Sequence, residues 1–137
     1  MTKKTMETPA AVILVVDDEE PIRNMARRIL ESDGYRVLEA SNGADAITLL
    51  HDDTPLDLLM ADLEMPELMG DEMARRLLAV RPDLKVLFVT GHVDRLFSEQ
   101  PLLWEGEAFL EKPFTSTGLL EAVALLLYGT LTRPTGS

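Results

Sequence analysis

The sequence predicts an α/β fold in which five parallel strands form a doubly wound sheet. Short apolar runs rich in β-branched residues, of which Ala11 to Val16 is the clearest, indicate strands that are buried on both faces. Segments with apolar residues at helical spacing follow most of these runs. This alternation implies parallel pairing with right-handed crossovers, which places helices on both faces of one sheet.

The first half of the chain contains two strand–helix units. After the first strand, Pro21 favours a helix start, and the helical pattern continues until Asp33-Gly34 ends it. Residues 36–40 predict the second strand. Ser41-Asn42-Gly43 then predicts a turn and a helix cap, and the short helix that follows carries Ile47 on its apolar face.

The third unit begins with the buried-strand pattern of residues 56–61, which ends at Asp62. A loop marked by Pro66 and Gly70 follows it. Apolar residues at helical spacing then continue as far as Val80, and the helix is predicted to stop at Arg81-Pro82 because the residue before a proline disfavours helical geometry.

The last two strands are predicted at residues 85–89 and 108–110. Between them the apolar residues keep no single helical period, and Pro101 interrupts the run, so the fourth helix is expected to be short or irregular. Either Thr115 or Ser116 is predicted to cap the last helix, which is predicted to run through Tyr128.

Length and composition set the domain organisation. The chain has 137 residues, of which 46% are apolar, and this is enough for one continuous core. We expect a flexible head over residues 1–9, one domain over residues 10–129 and a flexible tail over residues 130–137.

Charge and cysteine content exclude several classes of function. The net charge of −11 repels nucleic acid phosphates and anionic lipid headgroups, so direct binding to nucleic acid or membrane is not expected. The chain has no cysteine, which excludes disulfide scaffolds and thiolate metal sites and agrees with a cytoplasmic location. No apolar stretch is long enough for a signal peptide or a membrane span.

Residues suited to phosphoryl chemistry follow the strand ends. Asp17-Asp18 follows the first strand, Asp62 the third, Thr90 the fourth and Lys112 the fifth. Because ligands bind outside the carboxyl ends of parallel strands, we expect these residues to converge. Three carboxylates in one pocket repel one another, so Mg²⁺ is the expected cofactor. Asp18 and Asp62 are the expected direct ligands, and Asp17 binds either directly or through water.

The expected nucleophile is Asp62, whose carboxylate forms an aspartyl phosphate when it accepts a phosphoryl group. Lys112 and the metal ion place positive charge around the phosphoryl oxygens. Thr90 offers its hydroxyl to another of these oxygens, and Gly91 leaves room for the incoming group. Pro113 restricts the loop that aims Lys112, and the bond between the two residues is a candidate cis peptide.

Four sequence blocks carry a family resemblance: VILVVDDEEPIR, DLLMADLEMPELMG, VLFVTGH and AFLEKPF. In this order and at this spacing they resemble response-regulator receiver domains of two-component signalling, over residues 12–128. In appearance they are closest to single-domain receivers and to receivers associated with hybrid kinases. The resemblance implies a flavodoxin-like sheet of order 2-1-3-4-5, and a histidine kinase or phosphotransfer protein as the phosphoryl donor. The receiver then changes conformation and regulates a partner.

The same resemblance assigns roles to further residues. It implies a switch in which Thr90 moves toward the phosphoryl group and Phe109 turns inward, without the hydroxyl of the tyrosine common at this position. Glu64 is expected to give its backbone carbonyl to the metal and its side chain to the pocket entrance, opposite His92. Both residues are expected to tune dephosphorylation.

A partner surface is expected where the fourth helix, the fifth strand and the last helix meet. Leu125 and Tyr128 fall outside the core-facing arc of the last helix, which favours contact with another protein. The partner would be an effector protein or a second copy of the chain.

Three other classes of function compete with this interpretation. A magnesium-dependent phosphatase with an aspartate nucleophile usually has a second aspartate two residues after the first, where this chain has Glu64. A nucleotide or flavin module needs free N–H groups in its first turn, and the Asp-Asp-Glu-Glu-Pro turn would repel phosphate. A degenerate, binding-only receiver would not need the acidic, threonine and lysine residues.

We therefore expect no enzymatic activity beyond the chain's own phosphorylation and dephosphorylation. Three settings stay open: a single-domain regulator, a phosphorelay shuttle or the receiver of a hybrid kinase.

Overall fold

A five-stranded parallel sheet of order β2-β1-β3-β4-β5 forms the centre of the structure, a computed structural model that describes residues 10–49, 54–65, 70–91 and 106–130. The strands are β1 (Val12–Val16), β2 (Arg36–Ala40), β3 (Leu58–Asp62), β4 (Lys85–Thr90) and β5 (Glu107–Glu111). The helices within the described residues are α1 (Glu20–Ser32), α2 (Gly43–Leu49), α3 (Gly70–Val80) and α4 (Ser116–Tyr128). The predicted fold class and strand order are confirmed.

Both faces of the sheet are covered, and this explains the continuous apolar runs. Every residue of β1 and β3, two of the three inner strands, is buried. Because successive side chains of a strand point to opposite faces, Leu14 joins a core with α2 and α3, whereas Ile13 joins a core with α1 and α4. The edge strands β2 and β5 are only partly buried.

The helix ends follow the predicted capping chemistry. Asn42 caps α2, because its Oδ1 accepts a hydrogen bond from the backbone N–H of Asp45 at 2.8 Å. Thr115, and not Ser116, caps α4 through its hydroxyl, which accepts a hydrogen bond from the N–H of Gly118 at 2.9 Å. α4 runs through Tyr128, as predicted.

Several strand boundaries differ from the prediction by one or two residues. β1 begins at Val12 and β4 ends at Thr90, each one residue from its predicted bound. β3 begins at Leu58 and not at residue 56. Asp57, directly before it, accepts a hydrogen bond from the N–H of Val12 with its Oδ2 at 2.8 Å. β5 extends one residue further at each end, to Glu107 and Glu111, because its backbone pairs with β4 over that whole length.

Several predictions concern residues outside the described parts of the chain. They include the head over residues 1–9, most of the tail, and the irregular fourth helix within residues 92–105. Among the helices that the structure describes, none combines the length and the apolar character needed to cross a bilayer.

Candidate functional site

An acidic cluster lies at the carboxyl ends of β1 and β3. One carboxylate oxygen from each of Asp17, Asp18, Glu19 and Asp62 lies within 4.8 Å of the others. The parallel topology produces this convergence, since β1 and β3 are hydrogen-bonded neighbours that end at the same edge of the sheet. The predicted acidic residues are thus brought together, and Glu19 joins them although the sequence reasoning did not include it.

Lys112 reaches into this cluster from the loop after β5. Its Nζ lies 3.1 Å from Asp62 Oδ2, 3.2 Å from Asp17 Oδ2 and 3.2 Å from Glu19 Oε2. Its backbone N–H donates a hydrogen bond to the carbonyl of Thr90 at 2.8 Å, which ties the loop to the end of β4. The peptide bond from Lys112 to Pro113 is cis, as the sequence indicated. One ammonium group therefore contacts three carboxylates.

Burial and charge act against each other in this pocket. The residues Asp17 and Asp62 are only 3% and 4% exposed. Burial raises the pKa of Asp17, although the Glu19 N–H and the nearby Lys112 ammonium oppose this shift. Burial on its own would lower the pKa of Lys112, but the hydrogen bond to Asp62 and the charges of Asp17 and Asp62 raise it above its usual value. Lys112 is therefore a permanent positive charge at neutral pH.

The two buried aspartates are oriented in the same way. Asp17 Oδ1 accepts a hydrogen bond from the N–H of Glu19 at 2.8 Å, and Asp62 Oδ1 accepts one from the N–H of Glu64 at 2.9 Å. Such contacts between an aspartate and the residue two positions later stabilise tight turns. Each aspartate thus binds its own turn with one oxygen and directs the other toward Lys112.

The Thr90 hydroxyl lies at the end of β4 and is almost fully buried, with 2% of the residue exposed. It donates a hydrogen bond to Glu64 Oε1 at 2.9 Å, and the N–H of Gly91 donates to the same oxygen at 3.3 Å. Among the described residues, a Cβ atom on Gly91 would meet no heavy atom within 4 Å. The other predicted entrance residue, His92, lies outside the described residues.

The predicted switch aromatic, Phe109, is half-buried on β5. Its ring stacks on Phe88 of the neighbouring β4 with a centroid distance of 5.3 Å and an interplanar angle of 25°. Phe88 belongs to the core on the side of α2 and α3, and Phe109 packs against that core. Inward movement of Phe109 after phosphorylation stays a prediction.

Arg23 supports the turn that carries Asp17, a role that the sequence reasoning missed. Its Nη1 donates a hydrogen bond to the backbone carbonyl of Asp17 at 2.8 Å, and its Nε donates one to Glu39 Oε1 at 3.1 Å. The Arg23 side chain is 14% exposed, whereas Arg27, which also binds Glu39, is 48% exposed. The acidic turn is thereby joined to the edge strand β2.

Replacing Arg23 with glutamine should lower the free energy of unfolding by about 1–2 kcal/mol, because the Asp17 carbonyl loses its donor and the partly buried Glu39 loses a charged partner. The matched variant Arg27→Gln removes a more exposed partner of the same glutamate and should lower the free energy of unfolding less than Arg23→Gln does. Urea unfolding measures both. Equal losses in the two variants would contradict a special role of Arg23 at the Asp17 turn.

Comparison with known proteins identifies the family. The model of the response regulator receiver domain matches residues 13–124. The chain belongs to this family. It is 34% identical over 115 residues to the response regulator receiver protein CpdR of Brucella abortus, which covers 84% of this chain and 95% of CpdR.

The chain is also similar to one sensor kinase and to the receiver domain of a hybrid kinase. The chain is 32% identical over 126 residues to the sensor kinase CckA of Brucella abortus, which covers 91% of this chain but only 13% of that kinase's length. A crystal structure of the receiver domain from the hybrid histidine kinase CckA superposes with a TM-score of 0.72 at 31% identity, covering 85% of this chain and 99% of that domain. The chain is therefore a signalling domain of the two-component class.

Proposed function

We propose that this receiver accepts a phosphoryl group on Asp62 from a histidine kinase or a phosphotransfer protein, and that it then changes conformation to regulate a partner. The observation that carries the proposal is the buried Asp62 carboxylate, with Lys112 Nζ 3.1 Å away at the edge of an acidic cluster. The similarity to the receiver of a kinase supports a kinase or a phosphotransfer protein as the donor.

In the proposed reaction an oxygen of Asp62 attacks phosphorus, while the bond from phosphorus to the donor's histidine nitrogen breaks. The leaving imidazole then takes up a proton. The Lys112 ammonium offsets the charge of the attacking carboxylate and of the phosphoryl oxygens. Thr90 and Gly91 present a hydroxyl and a backbone N–H at the adjacent strand end, and both are donors suited to a phosphoryl oxygen.

The donor set at this edge of the sheet fits Mg²⁺. Mg²⁺ prefers oxygen ligands and is commonly held by carboxylates together with phosphate oxygens, and four carboxylates lie within reach of one another here. We propose that Asp17, Asp18, Asp62 and the backbone carbonyl of Glu64 hold the ion. When bound, the ion supplies positive charge next to the phosphoryl group. Glu19 is an additional carboxylate at the same position.

Replacing Asp18 with asparagine should weaken Mg²⁺ binding by roughly tenfold or more, because one hard anionic ligand is lost from the site. Isothermal titration with Mg²⁺ measures the change. The matched variant Glu121→Gln removes the same charge from an exposed position of α4 and should bind Mg²⁺ like the wild type. Wild-type affinity in Asp18→Asn would show that this assignment of the metal ligands is wrong.

The partner surface stays part of the proposal. Leu125 and Tyr128 on α4 are 51% and 38% exposed, which supports contact of this side of the domain with an effector protein or a second copy. We also propose a cytoplasmic location, which the cysteine-free sequence supports.

A phosphodonor assay tests the function. The chain is incubated with phosphoramidate in the presence and absence of Mg²⁺, and its intact mass is measured. One phosphoryl adduct per chain that depends on Mg²⁺ is the expected result. Sustained hydrolysis of an added phosphomonoester, without a stoichiometric adduct, would favour the magnesium-dependent phosphatase instead.

A further inference from the structure

Two hydrogen-bond donors at the end of β4 converge on one carboxylate oxygen. Glu64 Oε1 accepts from the Thr90 hydroxyl at 2.9 Å and from the Gly91 backbone N–H at 3.3 Å. Glu64 follows β3, so its side chain crosses from the end of one strand to the end of the next. Its own backbone N–H is bound to Asp62 Oδ1 at 2.9 Å. The residue that orients the proposed phosphoacceptor therefore also occupies the donors beside it.

The Glu64 carboxylate has the chemical character that a phosphoryl oxygen would offer to these donors. It is an anionic oxygen that accepts a hydroxyl proton and a backbone N–H at the same time. A hydroxyl and a backbone amide each carry one proton, so neither can donate a full hydrogen bond to two anions at the same time. Glu64 and a phosphoryl oxygen therefore compete for the Thr90 hydroxyl and the Gly91 N–H.

The position of the Glu64 side chain at the surface limits the cost of displacing it. Glu64 is exposed, in contrast to the buried Thr90 that it binds, so its carboxylate regains hydration when it turns outward. The hydrogen bond to Gly91 is exposed and the one to Thr90 is only part-buried, so we expect a modest cost of displacement and not a block.

We propose that the Glu64 carboxylate is an internal anionic ligand of Thr90 and Gly91, which a phosphoryl group on Asp62 must displace. The proposal rests on the proposed function of Asp62. It makes Glu64 a residue that lowers the affinity of the resting site for phosphoryl-like anions. Phosphorylation then releases the carboxylate as Thr90 and Gly91 turn to the new ligand.

Beryllofluoride with Mg²⁺ tests the competition, because it stands in for the phosphoryl group on an aspartate without covalent turnover. The variant Glu64→Asp keeps the charge but shortens the side chain by one methylene, and Glu64→Gln keeps the length but removes the charge. Both should bind beryllofluoride roughly three- to tenfold more tightly than the wild type, which is the ratio that corresponds to the net value of a hydrogen bond. Binding is measured by ¹⁹F NMR titration.

The paired variants separate competition from simple repulsion. If Glu64 acted only through its negative charge, Glu64→Asp would bind beryllofluoride like the wild type and only Glu64→Gln would bind more tightly; this result would overturn the proposal. Glu121→Asp and Glu121→Gln on α4 repeat the two chemical changes at an exposed position and should leave the affinity unchanged.

A measurement without any phosphoryl analogue tests the contact itself. In both Glu64 variants without phosphodonor or beryllofluoride, the NMR signal of the Gly91 amide proton should lie upfield of its wild-type position. The reason is that the N–H loses its charged acceptor. An unchanged Gly91 signal in both variants would overturn the proposal on its own. Failure of every chain, the wild type included, to bind beryllofluoride would instead remove the assignment of Asp62, and the competition with it.

Discussion

Replacing Asp62 with asparagine should abolish the phosphoryl adduct completely, whatever the concentration of phosphodonor. An asparagine side chain has nearly the same shape, but its amide oxygen lacks the charge and the nucleophilicity of a carboxylate. The residue is only 4% exposed, and its Oδ2 is the atom that faces Lys112 Nζ at 3.1 Å. Intact-mass measurement after incubation with phosphoramidate and Mg²⁺ detects the loss.

The matched control for this prediction is Asp83→Asn. Asp83 is exposed in the turn before β4, where the strand begins, whereas the acidic cluster lies where the strands end. Its replacement therefore removes an aspartate without changing the acidic cluster. This variant should form the adduct like the wild type. Circular dichroism should show that both variants are folded. An adduct on folded Asp62→Asn at the wild-type level would mean that a different residue accepts the phosphoryl group.

Replacing Gly70 with alanine should destabilise the domain strongly. Gly70 is the buried first residue of α3, and its N–H donates a hydrogen bond to the carbonyl of Leu63 at 3.3 Å. A Cβ atom at this position would overlap the carbonyl oxygen of Asp62 and would lie 3.1 Å from the Cα of Leu63. Both are backbone atoms, which cannot turn away as a side chain does. We expect a loss of about 1–3 kcal/mol in the free energy of unfolding, which is the usual range for overpacking.

Urea denaturation of Gly70→Ala measures this loss, and Gly91→Ala provides the comparison. An added Cβ on Gly91 meets no heavy atom of the described part of the chain within 4 Å, so this variant should unfold within about 0.5 kcal/mol of the wild type. The overlap with Asp62 also predicts that Gly70→Ala forms the phosphoryl adduct more slowly, since the acceptor's own backbone must move. Wild-type stability of Gly70→Ala would contradict the close approach of α3 to β3.

Much of the fold was predictable because it depends on local pattern. The inner strands β1 and β3 are continuous apolar runs since both of their faces are buried, and Asn42 and Thr115 are capping residues by their chemistry. The exact start of β3 was not predictable. Leu56 extends the apolar pattern of the strand by two residues, and nothing in the local sequence marks where the pairing begins.

The acidic part of the candidate site was predictable for a topological reason. Parallel strands place their carboxyl ends at one edge, so Asp17 and Asp62 meet although they are far apart in sequence. Arg23 was not recognised, since an arginine on an amphipathic helix looks like part of a solvated face. Its contact with the Asp17 carbonyl depends on how α1 packs against the end of β1.

The sequence by itself determined the order of strands and helices and the type of side chain at each strand end, because apolar periodicity and turn chemistry are written in neighbouring residues. It also carried the motifs of the receiver family over residues 13–124. Only the tertiary structure decided that Glu19 joins the carboxylate cluster and that Glu64 binds Thr90 and Gly91. A hydrogen bond requires donor and acceptor within about 3 Å, and that distance depends on strand register and side-chain rotamers, which residue types alone do not specify.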